Sequence, residues 1–306
     1  MLQALTARSR GSRTPRRISR TLQSTGAAVL LALAAPAHAL DVEAGDYTAL
    51  PAGTNLGLLY YQHVARNRVY ADGNKVLGGS LDSDVGIVRY VRFMEVGGFT
   101  IDPQFVLPFG KLRASDNLSA LGSASGVGDL ILASTVWLVN RPEKKQYFGI
   151  TPFLYVPVGT YDKDKPLNLG ENRWKFTLQA GYIAPLADKV TLDLAADVTV
   201  FGNNTKYGPS SATLRQDALT QGQAWLRYHF TDTFDIRGGL SYTFGGETSV
   251  NGVSRNDRTN TSKFSVGFAW FPTPTLQVLG TYGQDMSVHS GPMENNRFNF
   301  RLLKVF

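Results

Sequence analysis

Trp174-Lys-Phe-Thr-Leu-Gln-Ala-Gly-Tyr182 is followed, after a short gap, by Val190-Thr-Leu-Asp-Leu-Ala-Ala-Asp-Val-Thr-Val200, and both stretches alternate apolar and polar residues. Successive side chains of a β-strand point to opposite faces. Trp174, Phe176, Leu178, Ala180 and Tyr182 therefore share one face, and Lys175, Thr177 and Gln179 share the other. In the second stretch Val190, Leu192, Leu194, Ala196, Val198 and Val200 oppose Thr191, Asp193 and Asp197. An apolar face backed by lysine and aspartate fits a strand with lipid outside and water inside.

The same period recurs along the chain. Phe99, Ile101, Pro103, Phe105, Leu107 and Phe109 oppose Thr100, Asp102 and Gln104; Ala224, Leu226, Tyr228 and Phe230 oppose Gln221, Gln223, Arg227 and His229. Phe234, Ile236, Leu240, Tyr242 and Phe244 oppose Asp235, Arg237, Ser241 and Thr243. Strands are expected near 54–64, 80–94, 98–109, 127–139, 146–158, 172–185, 189–202, 215–230, 234–244, 261–271, 275–285 and 295–306. A soluble β-sandwich shows a similar period. The connections separate the two folds: those after odd strands are long (65–79, 110–126, 159–171, 203–214, 245–260, 286–294), and those after even strands are tight (95–97, 140–145, 186–188, 231–233, 272–274). Short periplasmic turns and long external loops are the mark of an outer-membrane barrel. The expected fold is all-β, a transmembrane antiparallel β-barrel of about twelve strands over residues 54–306. In the first two strands, around Tyr60-Tyr61 and from Val85 to Met94, both faces are apolar, which leaves open whether Arg89 or Arg92 points inward.

The net charge of +7 invites a nucleic-acid partner, but the charge is misplaced for one. Residues 1–39 hold six arginines and no acid, so of the 31 basic residues 25 remain against 24 acids. Those 39 residues have the order of a secretory signal: a basic stretch ending at Arg20, an apolar run from Gly26 to Pro36, and Ala37-His38-Ala39 as the cleavage site. The run is too short for a membrane anchor. Cleavage is expected after Ala39, leaving 40–53 as a short periplasmic segment before the barrel, and Tyr47 and Leu50 as a stopper below the lumen or a plain lead-in.

There is no cysteine, so disulfides and thiolate metal sites are excluded. His63, His229 and His289 lack paired spacing, and no metal, cofactor or nucleic-acid partner is expected. Some barrels are lipid hydrolases with serine and histidine on the outer wall. Here His229 reads inward and His63 has no evident serine and acid partners, so an enzyme is not expected.

The last strand ends in Phe298, Phe300, Leu302 and Phe306 on one parity, interrupted by Lys304. That series resembles the terminal assembly signal of bacterial outer-membrane proteins, which makes membrane lipid and the barrel-assembly machinery the expected partners. Outward aromatics near strand ends (Phe109, Trp174, Phe230, Phe234, Phe244, Trp270) fit interfacial girdles.

Lumen-lining positions on this assignment are Asp102, Gln104, Asp129, Lys175, Asp193, Asp197, Gln223, Trp225, Arg227, Asp235, Arg237, Lys263, Arg297 and Arg301. Their signs nearly balance, which points to paired charges bracing a narrow interior and away from a strongly ion-selective pore. Trp137, Trp225, Phe153 and Tyr155 among them either contact a partly apolar solute or only fill space. Pro103, Pro108, Pro152 and Pro157 form an echo, two prolines five apart in the third and fifth strands. Proline cannot donate to a ladder. These four positions either open a weak point in the wall for sideways passage or merely shape the barrel.

Asp41-Val-Glu-Ala-Gly-Asp-Tyr47, Leu50-Pro-Ala-Gly-Thr-Asn-Leu-Gly-Leu-Leu-Tyr-Tyr-Gln62, Asp102-Pro103, Leu107-Pro-Phe-Gly110 and Gly126-Val-Gly-Asp-Leu130 resemble the outer-membrane family named for the meta-pathway of phenol degradation. The resemblance implies a barrel that admits small hydrophobic or aromatic compounds, by analogy with fatty-acid and toluene channels. Leu40 to Gly53 is too short for the plug of those larger channels. The expected function is passive uptake of such compounds across the outer membrane; the alternatives are a structural or adhesive barrel, or a barrel lipid hydrolase.

Overall fold

The computed structural model describes residues 41–306; the expected leader (1–39), its cleavage point and Leu40 lie outside them. Twelve long strands follow one another: β1 (Asn55–Ala71), β2 (Asn74–Arg92), β3 (Phe99–Ser115), β4 (Leu130–Arg141), β5 (Gln146–Val156), β6 (Lys175–Ala187), β7 (Val190–Phe201), β8 (Leu219–Thr231), β9 (Phe234–Gly245), β10 (Thr259–Thr273), β11 (Leu276–Val288) and β12 (Gly291–Val305). Each pairs antiparallel with the next, and β12 pairs with β1 from Leu56↔Val305 to Tyr70↔Gly291. The sheet is thereby closed. Closure leaves no strand edge with unpaired backbone groups, which is what permits a sheet to stand in hydrocarbon.

The exterior is apolar and the interior polar, the reverse of a soluble domain. Leu178, Leu240 and Phe300 are about half exposed on the outer wall, while Gln179, Asp197 and Arg301 are buried within. At the short-turn end, Tyr228, Phe230, Phe234 and Phe268 form a chain of aromatic contacts with successive ring centroids 4.9, 5.9 and 6.4 Å apart. Such a belt fixes depth at the interface.

All the even-numbered connections are tight. Gly97 (φ 59°) and Gly98 (φ 81°) turn the chain before β3, a left-handed pair that only a primed hairpin turn requires. At the other end three connections differ from expectation, 110–126 among them, where β3 runs on to Ser115 and a short strand follows at Ser123–Val127. The long loops expected at 65–79 and 286–294 are mostly strand: β1 and β2 run on to a turn at Asp72-Gly73, and β11 and β12 to one at His289-Ser290. Apolar alternation marks only the lipid-facing part of a strand, so it stops where the ladder rises above the membrane. Hydrogen bonding continues there with register shifts around Arg66. Above the mouth, Asn204–Tyr207, Ala212–Gln216, Thr248–Val250 and Val253–Ser254 form a small sheet that joins two loops.

The four prolines do not act alike. Pro103 and Pro152 sit opposite Ser134 and Leu178 in unbroken register. At Pro108 the wall changes partner: β3 pairs with β4 up to Val106↔Ile131, and from Phe109↔Val127 onward it pairs with the short strand Ser123–Val127. Strand β5 ends immediately before Pro157, and Thr160 N then donates to Val127 O at 2.8 Å. Gly128, Gly159 and Gly170 seal this seam. A Cβ on Gly159 would lie 2.7 Å from the carbonyl carbon of Gly128, and one on Gly170 would lie 2.7 Å from that of Gly159. Only glycine permits such backbone approach.

Candidate functional site

Residues 41–49 run inside the barrel and do not form a periplasmic lead-in. An irregular segment at this depth must find partners for its backbone groups on the wall. It finds them on strands all round the lumen. Val42 N donates to Gln223 Oε1 (3.0 Å), Trp225 Nε1 to Val42 O (3.2 Å), Arg237 Nη1 to Ala44 O (2.7 Å), Gly45 N to Asp193 Oδ1 (2.8 Å) and Trp137 Nε1 to Tyr47 O (2.9 Å). Two overlapping turns, Asp46 N to Glu43 O and Thr48 N to Gly45 O, give the segment its shape, with Gly45 at φ 93°.

Its side chains are held as firmly. Asp41 meets Arg297 at 3.0 Å and Lys263 at 3.5 Å and accepts from Gln221 and Gln223. Glu43 accepts from Thr281 and Asn299, both at 3.3 Å. Asp46 lies between Arg301 (2.6 Å) and Arg89 (3.3 Å). The Tyr47 hydroxyl donates to Gln179 Oε1 and lies 3.0 Å from Thr151 Oγ1. Length was a poor guide here: nine residues suffice because the wall was built with groups to receive them.

Each of the fourteen positions expected in the lumen has a definite place. Gln223, Trp225, Asp193, Arg237, Lys263, Arg297 and Arg301 contact the segment. Arg227 pairs with Asp193 at 2.7 Å, Asp235 with Arg237 at 2.7 Å, and Asp197 accepts from Gln179. Asp102 takes the backbone N–H of Thr135 and the amide of Gln104. Asp129 and Lys175 sit at the loop end: the Asp129 carboxylate accepts from Gly159 N and Glu171 N, and Lys175 pairs with Glu171. A second network joins Glu294 to Arg66 (2.8 Å), Lys263 (2.9 Å) and Arg297 (3.1 Å).

Open space lies beside the segment. A cavity of about 240 Å³ is lined by Tyr47, Tyr60, Ile87, Arg89, Gln104, Val106, Ile131, Phe153, Tyr155 and Arg297, among others. Of the fourteen expected lumen positions, only Gln104 and Arg297 line it. Phe153 and Tyr155 on β5 were expected to face inward, whereas the lining residues not read as inward, Tyr60, Ile87, Val106 and Ile131, come from β1 to β4. Their signal in the sequence was the pair of two-sidedly apolar stretches, Tyr60-Tyr61 and Val85 to Met94. Arg89 is the inward arginine, bonded to Gln104 Oε1 at 2.7 Å, and Arg92 is exposed. Gln62 also lines a second cavity, about 370 Å³, with Leu81, Val85, Pro108, Leu112, Leu167 and Glu171 toward the loop end. At that end burial works to raise the Glu171 carboxyl, but Lys175 and Arg173 outweigh it and hold it at about 2.

On the outer wall His63 does have an acid partner, Asp84, at 2.8 Å, and Tyr61 donates to the same carboxylate. Among the described residues no serine hydroxyl bonds to His63. Ser125 is in the same row but lies beyond Lys111, which is itself opposite Asp84.

The crystal structure of the COG4313 outer membrane channel from Pseudomonas putida F1 is 40% identical, with a TM-score of 0.84 over 87% of this chain and 100% of that one. The β domain of the Bordetella autotransporter BrkA (TM-score 0.51, 10% identity, 84% of this chain and all of that one) and the NalP translocator of Neisseria meningitidis (0.50, 9%, 84% and 89%) share the barrel fold alone. No curated protein sequence matches the chain. The family described as "Putative MetA-pathway of phenol degradation" matches residues 65–302, and the chain belongs to that family as an outer-membrane β-barrel homologous to a structurally characterised outer-membrane channel.

Proposed function

We propose that this protein is a channel for passive uptake of small aromatic or otherwise apolar compounds. One observation supports the reading above the others: Ile87, Val106, Ile131, Phe153 and Tyr155 lay a continuous apolar face over four adjacent strands, β2 to β5, along a cavity whose other walls carry charged and polar groups. A barrel with only a structural role needs no apolar inner face. Largely apolar walls with a few placed polar groups are what a small-molecule site requires. The wall faces the cavity, and Gln62 lines both that cavity and the larger one toward the loops.

Entry would run from the loop-end cavity into the lumen, where the segment 41–49 closes the way down. The seam at Pro108 and Gly128 supports a second exit, sideways into the membrane, because strand pairing changes partner there. Deleting the gene should slow growth on an aromatic carbon source supplied at limiting concentration, and restoring the gene should recover it. Equal growth at all concentrations would rule out the uptake role.

A further inference from the structure

The acidic segment in the lumen is itself the guide to what the lumen accepts. Asp46 presents its carboxylate to two guanidinium groups from different strands, with Oδ1 to Arg301 at 2.6 Å and Oδ2 to Arg89 at 3.3 Å. Among the described residues no other carboxylate lies within 4.0 Å of either arginine. Arg89 also donates to Gln104 and to the Tyr60 hydroxyl, and Arg301 to Gln277, so both heads are fixed in place before any carboxylate arrives. Planar guanidinium forks match carboxylates and phosphates, and here they already hold a carboxylate. The cavity reaches this clamp from the Arg89 side: Asp46, Arg89 and Tyr60 line it together with the apolar face, and Arg301 meets Asp46 from outside that lining.

Asp46 is therefore a carboxylate on a short side chain, in a site whose adjoining apolar wall it leaves uncovered. We propose that the solute is a ring-bearing carboxylate, whose carboxylate takes the place of Asp46 between Arg89 and Arg301 while its ring lies against Tyr60, Ile87 and Val106. Displacing Asp46 removes an ion-paired anchor of the segment, so the arrival of the solute loosens the closure that blocks it. This inference rests on the channel reading and narrows its substrate class.

Calorimetric titration of the full chain in detergent, with benzoate, benzyl alcohol and acetate as probes, tests it. Benzoate should bind at least about tenfold more tightly than either of the others. Asp46→Asn should tighten benzoate by removing the internal competitor, and Arg89→Gln with Arg301→Gln should abolish the preference. Asp46→Asn keeps every wall residue, so it serves even where the double variant does not fold. Benzyl alcohol binding as well as benzoate would overturn this inference and leave the channel reading standing. Benzoate binding unchanged in folded Arg89→Gln, Arg301→Gln protein would also overturn it. If none of the three binds and gene deletion leaves growth unaffected, both readings fall together.

Discussion

The ring of Tyr47 rests on Gly181, so closely that a Cβ atom on that glycine would fall 2.1 Å from Tyr47 Cδ2. Glycine inside a strand is unfavourable unless another group approaches the backbone there. Here the group is the aromatic side chain of the lumen segment, which then reaches Thr151 and Gln179 with its hydroxyl.

Gly181→Ala should therefore unseat Tyr47 without breaking a ladder hydrogen bond of β6. The Tyr47 backbone carbonyl also accepts from Trp137 Nε1, so its displacement loosens the middle of the segment as well. The expected result is a several-fold rise in single-channel conductance in planar bilayers, with heat-modifiable migration of the folded barrel retained. Conductance equal to that of the unaltered protein would show that Tyr47 does not close the lumen.

Glu294 is the acid most enclosed by cations, with Arg66, Lys263 and Arg297 each within 3.1 Å and its side chain 2% exposed. Replacing it leaves buried cations short of a counter-charge, and removing one partner of a buried pair typically costs about 3–5 kcal/mol. Glu294→Ala should lower the midpoint of urea unfolding accordingly. Asp41 partly compensates, since it also contacts Lys263 and Arg297, so the loss should grow when the segment is removed as well.

The barrel was legible because lipid imposes a period of two on any strand that crosses it, and Trp174 to Tyr182 obeys that period on both faces. Where lipid ends, the signal ends, which is why the upper parts of β1 and β2 read as a loop. The lumen was legible only by sign. Asp193 and Arg237 stand on the polar parity of their strands, but alternation says nothing about which inward group meets an inserted segment and which meets open space. Val106 and Ile131 were harder still: an apolar residue on the water face of a barrel strand looks like an error in parity until its neighbours on β2 and β5 are seen to share it.

Glu171 gives the loop end a pH dependence of definite sign. Burial raises its carboxyl, Lys175 and Arg173 lower it further, and it stands at about 2 against 4.5 for the unperturbed group. A depressed folded value means that its contribution is fully present above the unfolded value and is lost as pH falls through the folded one. Hydrogen exchange in residues 157–174, corrected for intrinsic rates, should be flat from neutral pH to about 5 and should rise as pH falls from about 4.5 toward 2. Glu171→Gln should show the raised exchange already at neutral pH. Exchange that begins to rise near pH 6 would place the controlling group elsewhere.

The prolines separate the two exits. Pro103 and Pro152 each keep continuous register with one neighbouring strand, whereas Pro108 and Pro157 stand where β3 changes partner and β5 ends. If solute leaves sideways, the weak place is the glycine seam between these two prolines, and strengthening the ladder there should obstruct it. Replacing Pro108 and Pro157 with valine restores the missing donors and favours longer strands. Sideways passage then predicts slower growth on the limiting aromatic source, with Pro103→Val and Pro152→Val as controls that leave growth near that of the unaltered protein. Growth unchanged in a folded Pro108→Val, Pro157→Val barrel would assign the traffic to the lumen, past the segment held by Asp46 and Tyr47.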